Sequence, residues 1–203
     1  MKAIYIYGAG GHGAVVAEIA HLLGYDILGF VDDNSALTGK SVLDWKVLGT
    51  GDLIPDGATV ALGIGDNVTR AALTQRARDR KWSLPVLVHP SAIISPSAVL
   101  GAGTVVMAQV AVNARARIGE ACILNTSCSV DHDCSIGCAV HIAPGVRLAG
   151  SVTVGDRTLV GIGSCARPGV CIGCDCIIGA GSVVVCDIPD YCVAYGNPAR
   201  PRA

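Results

Sequence analysis

Aromatic side chains are scarce in this sequence, and its longest regular stretch lacks them altogether. Only 4% of the 203 residues are Phe, Trp or Tyr, against a hydrophobic share of 51%. Residues 94–189 contain no Phe, Trp or Tyr, and no Lys follows Lys81. A core built around large rings is therefore excluded, and the interior must be filled by Val, Ile, Leu, Ala and Cys.

Long apolar runs and an excess of charge are lacking as well. No stretch approaches the roughly 18 apolar residues of a membrane span, and the start has no leader pattern. The formal charge of -1 provides no field that would attract nucleic acid or an anionic membrane. These absences predict a cytoplasmic protein that inserts into no membrane, binds no nucleic acid and acts on small molecules.

Ten cysteines lie between Cys122 and Cys192, and none precedes them. A chain of this length without an export pattern predicts reduced thiols rather than a disulfide scaffold. Cys171, Cys174 and Cys176 are closely spaced, but no second ligand pair at zinc-like spacing accompanies them. We predict that most of the cysteines are small core fillers and that no metal is bound.

Residues 1–85 alternate between strand and helix patterns, which predicts a Rossmann-like α/β domain with a small parallel sheet. Its first strand runs into GAGGHG (residues 8–13), which opens a helix and fits G-x-G-x-x-G. Asp32 and Asp33 follow the second strand, at the distance at which an acidic residue holds a ribose. Amides at a helix N-terminus hold any diphosphate, so both a nucleotide sugar and NAD fit this loop.

From Ile94 to Pro189 the sequence repeats every six residues without a break. Fifteen of the sixteen hexads begin with Ile, Leu or Val, and the fifth residue is small or β-branched almost throughout. Such a repeat predicts a parallel β-helix, in which three hexads make one triangular coil and residues 18 apart stack. The second domain is therefore expected over residues 86–203, with a C-terminal tail after the coils.

Motifs from both halves together resemble the hexapeptide-repeat sugar O- and N-acyltransferases, whose β-helix is left-handed. This family includes sialic acid O-acetyltransferases and the UDP-4-amino-sugar N-acetyltransferases of the bacillosamine pathway. The resemblance covers essentially the whole chain and rests on GAGGHG (8–13), DD (32–33), IGDNVTR (64–70), HPSA (89–92), ILNTSCSVDHDCSIG (123–137), HIAPG (141–145), LAG (148–150) and GNPAR (196–200). It implies a homotrimer that binds acetyl-CoA between neighbouring β-helices and a nucleotide sugar or sugar acid against the N-terminal domain.

The resemblance makes His132, in the DHD segment, the general base that removes a proton from the attacking amine or hydroxyl. It makes Asp133 the acid that orients the imidazole, although bacillosamine-type members carry Glu there. Asp131 flanks His132 on the other side, so the sequence leaves open which aspartate orients the ring. Stacking by 18 residues places Gly150 above His132, where its amide is expected to stabilise the oxyanion formed on the thioester.

Further residues are expected to bind the two substrates. By resemblance, Asn125 and His141 hold the thioester end of acetyl-CoA, with His141 on a different face of the prism from His132. Small residues let a ligand approach the main chain, so the pantetheine arm is expected beside the amides of Gly161, Gly163, Ala180 and Gly181, and the phosphates near Arg200 and Arg202. For the nucleotide sugar the expected contacts are Gly8, Gly10, Gly11, His12, Gly13, Asp32, Asp33, Gly65, Asn67 and Arg70, of which the last two would alternatively cap and solvate their helix.

The sequence thus predicts an acetyl-CoA-dependent N-acetyltransferase that acts on a nucleotide-linked 4-amino-4,6-dideoxy sugar, with UDP as the preferred nucleotide. The nearest alternatives are O-acetylation of sialic acid or a related sugar, and a GDP- or dTDP-linked amino sugar, since amine and hydroxyl acceptors need the same base. An NAD-binding protein is less favoured, because the hexads provide a platform for acyl transfer and not for hydride transfer. A noncatalytic trimeric scaffold would require nothing special at His132 or Gly150.

Overall fold

The structure is a computed structural model and describes residues 2–202. It begins with a five-stranded sheet of order β3-β4-β2-β1-β5, in which only the β3–β4 pair is antiparallel. Its elements, with two short 3₁₀ turns at Ser35–Leu37 and Gly51–Leu53, are β1 (Lys2–Tyr7), α1 (Gly11–Leu22), β2 (Tyr25–Val31), β3 (Ser41–Val42), β4 (Trp45–Gly49), β5 (Val60–Leu62) and α2 (Asn67–Asp79). The Rossmann-like α/β fold expected of this half is confirmed.

The turn from β1 into α1 needs its glycines for close packing. Gly8 has a φ of +107°, in the region that favours glycine, and a Cβ on Gly13 would collide with the carbonyl oxygen of Gly8. Gly10 and Gly11 have no atom within 4 Å of where a Cβ would stand. The loop therefore packs tightly against β1 at its two ends and leaves its middle open at the N-terminus of α1.

The second half is a parallel β-helix of three sheets, and it confirms the prediction from the hexads. The sheets have the orders β22-β19-β16-β13-β10-β7, β20-β17-β14-β11-β8 and β24-β23-β21-β18-β15-β12-β9-β6. Partner residues in adjacent coils are 18 apart, as in Ser129 with Arg147. The strands are β6 (Leu87–Val88), β7 (Ile93–Ile94), β8 (Val99–Leu100), β9 (Val105–Val106), β10 (Ala111–Val112), β11 (Arg117–Ile118), β12 (Ile123–Leu124), β13 (Ser129–Val130), β14 (Ser135–Ile136), β15 (His141–Ile142), β16 (Arg147–Leu148), β17 (Thr153–Val154), β18 (Leu159–Val160), β19 (Cys165–Ala166), β20 (Cys171–Ile172), β21 (Ile177–Ile178), β22 (Val183–Val184), β23 (Val193–Tyr195) and β24 (Arg200–Arg202).

Side chains alternate between the interior and the surface of the β-helix. The second residue of most strands and the fifth residue of most hexads are buried in one continuous aliphatic core. Cys122, Cys128, Cys134 and Cys176 occupy such fifth positions and are buried. Cys192 is partly buried and also packs against this core. The expectation that most cysteines fill the core is wrong for the other five, since they stand at hexad positions that face outward. Cys138, Cys171 and Cys186 are exposed.

Every sixth residue adopts a left-handed backbone conformation, which turns the chain from one sheet to the next. Single left-handed residues cost about 1–2 kcal/mol when they are not glycine, so each such corner is maintained by stacking on its neighbours. The fourteen corner residues are Gly103, Gln109, Arg115, Ala121, Ser127, Asp133, Ala139, Gly145, Ser151, Arg157, Gly163, Gly169, Asp175 and Gly181. Corners one coil apart lie above one another, and this stacking places the site described below.

The α/β unit packs on the first coils of the sheet that starts with β6. Leu87, Val105 and Ile123 point outward from the β-helix and are buried in one cluster with α1 and the first sheet. The domain boundary expected between residues 85 and 86 stays a prediction. Within residues 2–202, no helix combines the length and the hydrophobicity that a membrane crossing requires.

Candidate active site

His132 lies at a corner of the β-helix, between the end of β13 and the left-handed residue Asp133. Its side chain is 55% exposed, and Nδ1 lies 2.8 Å from Oδ2 of Asp133. A carboxylate can only accept, so this contact assigns the proton of the neutral ring to Nδ1. Nε2, which has no protein partner among residues 2–202, keeps its lone pair for an incoming proton.

Asp133 is itself held by a guanidinium from the coil below. Arg115 donates from Nε to Oδ1 at 2.6 Å and from Nη2 to Oδ2 at 2.8 Å. These hydrogen bonds, followed by the one with His132, lower the pKa of Asp133 to about 2. The carboxylate is therefore ionised at any pH at which the imidazole is neutral.

Asp131 has a different contact. Its Oδ1 accepts from the backbone N–H of His132 at 2.7 Å and from Nδ2 of Asn113 at 2.8 Å. It fixes the main chain at His132, whereas Asp133 contacts the ring. Of the two aspartates that the sequence left open, the geometry therefore assigns the orienting contact to Asp133.

Gly150 lies directly against the His132 ring, as the stacking arithmetic predicts. A Cβ on Gly150 would stand 2.5 Å from Cε1 and 2.7 Å from Nε2 of His132. The carbonyl of Gly150 accepts from Gly169 N–H, while its own N–H donates to no backbone acceptor among residues 2–202. A buried glycine amide with no partner beside a base can donate to a developing oxyanion.

Two shallow cavities flank His132 on the sheet that contains β13. One, of about 450 Å³, is lined by residues that include Ala114, Asp131 and His132. The other, of about 340 Å³, continues past Asp131 to Arg147. The two cavities share Asn113 and Asp131 in their linings and together form an open groove along the outer face of the β-helix.

The four residues expected beside a pantetheine arm differ in the state of their amides. The N–H groups of Gly161, Gly163 and Gly181 donate to neighbouring coils, to Ile178, Pro144 and Ile162 respectively. The Ala180 N–H, by contrast, has no backbone acceptor within the described part of the chain. Ala180 and Gly150 hold the hexad position whose amide points away from the ladder, whereas Gly161 precedes that position. The expected contacts of these residues with the cofactor stay a prediction.

His141 and Asn125 form a second polar group, on the sheet that faces the α/β unit. Nδ2 of Asn125 lies 3.0 Å from Nε2 of His141. Burial, followed by the charge of Arg70, lowers the pKa of His141 to about 4, and the same causes lower that of His12 to about 4. Nε2 of His12 is buried without a hydrogen-bond partner among residues 2–202. His141 lies in β15, whereas His132 lies at the corner that follows β13 in another sheet.

Arg70 and Asn67 occupy the seam between the two halves. Arg70 is 1% exposed, and its hydrogen bonds go to the carbonyls of Ile64, Gly65, Ala121 and Ala139 and to Oδ1 of Asn67. A guanidinium has five N–H donors, so none remains for a ligand. Asn67 in turn donates to the carbonyl of Arg157 at 2.8 Å. Both residues therefore dock the α/β unit on the coils, and Asn67 also lines a cavity with Gly65 and His141. Their expected contacts with the substrate stay a prediction, for which Arg70 has no free donor.

The two aspartates after β2 contact the glycine loop and its surroundings. Asp32 accepts from Ala9 N–H at 2.8 Å and from Asn34 N–H at 2.9 Å. Asp33 accepts from the Tyr7 hydroxyl at 2.8 Å. Both carboxylates thus hold the edge at which the open amides of the loop lie.

Gly65 and His141 share a cavity of about 360 Å³ with the Arg157–Asp175 pair. Arg200, on β24, is exposed and pairs with Tyr195 in the sheet, so the expected tail ends in an antiparallel strand. A further cavity, of about 600 Å³, lies between α1, the β3–β4 hairpin and the first coils. None of the predicted site residues is in its described lining. No cluster of three or more His, Cys, Asp or Glu in residues 2–202 could hold a metal ion.

Sequence reasoning missed Arg115 and the docking role of Arg70. The stacking distance of 18 residues relates Arg115 to Asp133 as it relates His132 to Gly150, so the first could have been found by the same arithmetic. Nothing in the hexads indicates where the α/β unit docks, so the second had no signal.

Both halves of this chain are similar to known proteins. Residues 3–77 match the PglD N-terminal domain. The chain is 42% identical to the acetyltransferase domain of PglB from Neisseria gonorrhoeae, solved with acetyl coenzyme A, with a TM-score of 0.93 and 99% of each chain covered. It is 43% identical to PerB from Caulobacter crescentus, solved with CoA and GDP-perosamine, with a TM-score of 0.94 and 100% and 98% of the two chains covered.

A shorter match joins this chain to dTDP-3-amino-3,6-dideoxy-alpha-D-galactopyranose 3-N-acetyltransferase of Aneurinibacillus thermoaerophilus. It is 66% identical over 32 residues, which is 16% of this chain and 17% of that relative. The similarity to this transferase is confined to one segment, whereas the PglB domain and PerB are similar to this chain over its whole length.

Proposed function

Because the chain belongs to the hexapeptide-repeat sugar N-acetyltransferases, we propose that it transfers an acetyl group from acetyl-CoA to the amino group of a nucleotide-linked 4-amino-4,6-dideoxy sugar. The observation that carries this proposal is the constellation at the His132 corner. Nε2 of His132 is free to accept a proton, the Asp133 carboxylate lies at Nδ1, and the Gly150 N–H in the next coil has no backbone acceptor among residues 2–202. Acyl transfer from a thioester needs these three groups.

The residues support a single addition and elimination sequence. The neutral amine attacks the thioester carbonyl carbon while Nε2 of His132 accepts one amine proton. The Gly150 N–H donates to the carbonyl oxygen as it becomes negative. When the C–S bond breaks, the thiolate of CoA leaves and takes the proton from the imidazolium, so that the base is regenerated. Asp133 stabilises the imidazolium between these steps through Nδ1.

The acceptor belongs, in this proposal, at the edge of the first sheet. The open amides of Gly10 and Gly11 begin a helix of 12 residues, and such an N-terminus favours a diphosphate. We keep UDP as the preferred nucleotide. The alternatives are GDP, which is part of the ligand in the PerB structure, and dTDP, which is part of the substrate name of the Aneurinibacillus relative. The assay described below distinguishes the three nucleotides.

We further propose that the working enzyme is a homotrimer with acetyl-CoA between neighbouring β-helices. His132 lies at the corner that follows β13, whereas His141 lies in β15 and Asn125 follows β12, on the sheet beside the α/β unit. Residues of two faces act on one thioester when a second copy brings its face to the first. Three exposed thiols, at Cys138, Cys171 and Cys186, fit the reducing cytoplasm, where we place the reaction.

The test is acetyl-CoA turnover with a panel of UDP-, GDP- and dTDP-linked 4-amino sugars and free sialic acid. CoA is quantified by chromatography, because a thiol reagent would also react with the ten cysteines of the protein. Turnover with a nucleotide amino sugar supports the proposal and identifies the nucleotide. Turnover with sialic acid alone would replace it by O-acetylation, and no turnover with any acceptor would favour the scaffold.

The base is tested with His132→Ala, which is expected to reduce kcat by about 10²–10⁴-fold while the oligomer persists. His21→Ala, an exposed histidine on α1 that stacks on Trp45, is the matched control and should keep wild-type turnover. Near-normal turnover of His132→Ala would exclude the base assignment. Sedimentation of both variants checks that assembly is unchanged.

A further inference from the structure

We propose that Arg115 is a positioning residue that controls the protonation and orientation of His132 through Asp133. The inference rests on the proposed function, because it presumes that His132 is the base. Arg115 itself touches neither the ring nor, in this proposal, a substrate.

The two oxygens of the Asp133 carboxylate have different hydrogen-bond partners. Oδ1 is bonded to Arg115 Nε alone, while Oδ2 is shared between Nη2 of Arg115 and Nδ1 of His132. The planar fork of the guanidinium binds both oxygens at once, which fixes the rotation of the carboxylate. With the carboxylate fixed, the hydrogen bond to Nδ1 fixes the ring plane and therefore the direction of Nε2.

The backbone supplies the rest of the geometry. Arg115 and Asp133 are both corner residues, with φ of 62° and 59°, and they stand one coil apart. Their Cα–Cβ bonds therefore leave the main chain in the same direction. Position 115 is stacked on position 133 and not on position 132. The guanidinium of Arg115 therefore contacts the carboxylate of Asp133 and not the imidazole of His132.

The charges around His132 determine in which direction loss of Arg115 changes the protonation of the imidazole. Asp131 and Asp133 lie on its own coil, Arg115 and the neutral Asn113 lie below, and Gly150 and Ser151 above carry no charge. Arg147 shares the groove but donates to the carbonyls of Ser127 and Val146. Two negative charges without a cation would stabilise the imidazolium, which is inactive as a base. Arg115 offsets one of these charges, so its removal is expected to favour the imidazolium.

The experiment compares Arg115→Gln, Arg115→Lys and the control Arg117→Gln. Arg117 is exposed on β11, its side chain makes no hydrogen bond or ion pair within the described residues, and its replacement by Gln carries the same charge change. For Arg115→Gln we expect the acidic limb of the kcat/KM profile to move up by about 0.5–1 pH unit. We also expect kcat at the optimum to fall about 10-fold and both KM values to stay within about twofold.

Conservative replacement separates charge from geometry. Arg115→Lys keeps the cation, so the acidic limb should return toward that of the wild type. A single ammonium cannot bind both oxygens, so kcat should recover only in part. Arg157→Gln removes the corresponding corner pair with Asp175, at 2.6–2.7 Å, and calibrates the change in Tm that loss of such a pair causes.

Several outcomes would overturn the inference. An unmoved acidic limb with kcat within twofold for Arg115→Gln would reduce the pair to a structural contact like that of Arg157. A raised KM for acetyl-CoA with an unmoved limb would assign Arg115 to the cofactor instead. Full turnover of His132→Ala would exclude the base assignment on which the inference rests. No turnover of the wild type with any acceptor would overturn the proposed function itself, so the failures are distinguishable.

Discussion

Replacing Gly150 by Ala should move the His132 ring without removing any group that takes part in the reaction. The new Cβ would stand 2.5 Å from Cε1 and 2.7 Å from Nε2. Ordinary contacts need roughly 3.5 Å, so the ring must shift by about 1 Å. A displacement of that size costs about 10²-fold in rate. We therefore expect kcat/KM of Gly150→Ala to fall about 100-fold. Because residue 150 keeps its N–H, this fall would be caused by displacement of the His132 ring and not by loss of the amide donor.

Thermal unfolding of this variant should stay close to that of the wild type. Gly150 is not among the glycines with positive φ, and the atoms that must yield are the end of a half-exposed side chain. Gly119→Ala is the opposite control, since its Cβ would stand 2.6 Å from the carbonyl oxygen of Gly137. Overpacking against backbone costs about 1–3 kcal/mol, and each kcal/mol lowers Tm by about 2–4 °C in a chain of this size. Gly119→Ala should therefore melt earlier and keep its turnover. A Gly150→Ala enzyme with kcat/KM within threefold of wild type would refute the reasoning.

Two further predictions concern the seam between the halves. Arg70→Met leaves buried carbonyls at Ala121 and Ala139 without donors, and it should destabilise the fold by about 3–5 kcal/mol, measured by calorimetry. A change in Tm below about 2 °C would contradict that role. The pKa values of His12 and His141 are lowered from 6.5 to about 4, so the unfolded chain binds more protons between these values. Stability should therefore be complete above pH 6.5 and decline as the pH falls toward 4. The double variant His12→Gln/His141→Gln should flatten this decline in melting curves, and an unchanged slope would exclude both histidines as its cause.

Most of the fold could be predicted because the repeat is written directly in the sequence. A period of six fixes which residues face inward, and three hexads per coil fix which residues stack. The same arithmetic fails for side chains at outward positions, as the exposed Cys138 and Cys171 illustrate. Their burial depends on what covers each face of the prism, which a periodic pattern does not contain.

Prediction of the site was uneven for the same reason. The contact of Gly150 with His132 follows from their separation of 18 residues, and the structure places them together. Gly161 was chosen one residue away from the position whose amide is free, because the sequence does not state the phase of the hydrogen-bond ladder. Arg70 is expected at a ligand because it belongs to IGDNVTR, one of the motifs that carry the resemblance to the sugar acyltransferases. Only the docking of the two halves shows that its donors are used by carbonyls.

A second corner of the same β-helix indicates what the pair at Arg115 adds and what it does not. Arg157 and Asp175 repeat the bidentate contact at left-handed positions one coil apart. There the residue before the aspartate is Cys174, not histidine, and its N–H donates to Asp190. Stacked arginine–aspartate corners are thus a general way to hold two coils together. At the His132 corner, Asp133 also contacts the imidazole of His132. The same arginine–aspartate contact is therefore proposed to orient the base at this corner, in addition to holding two coils together.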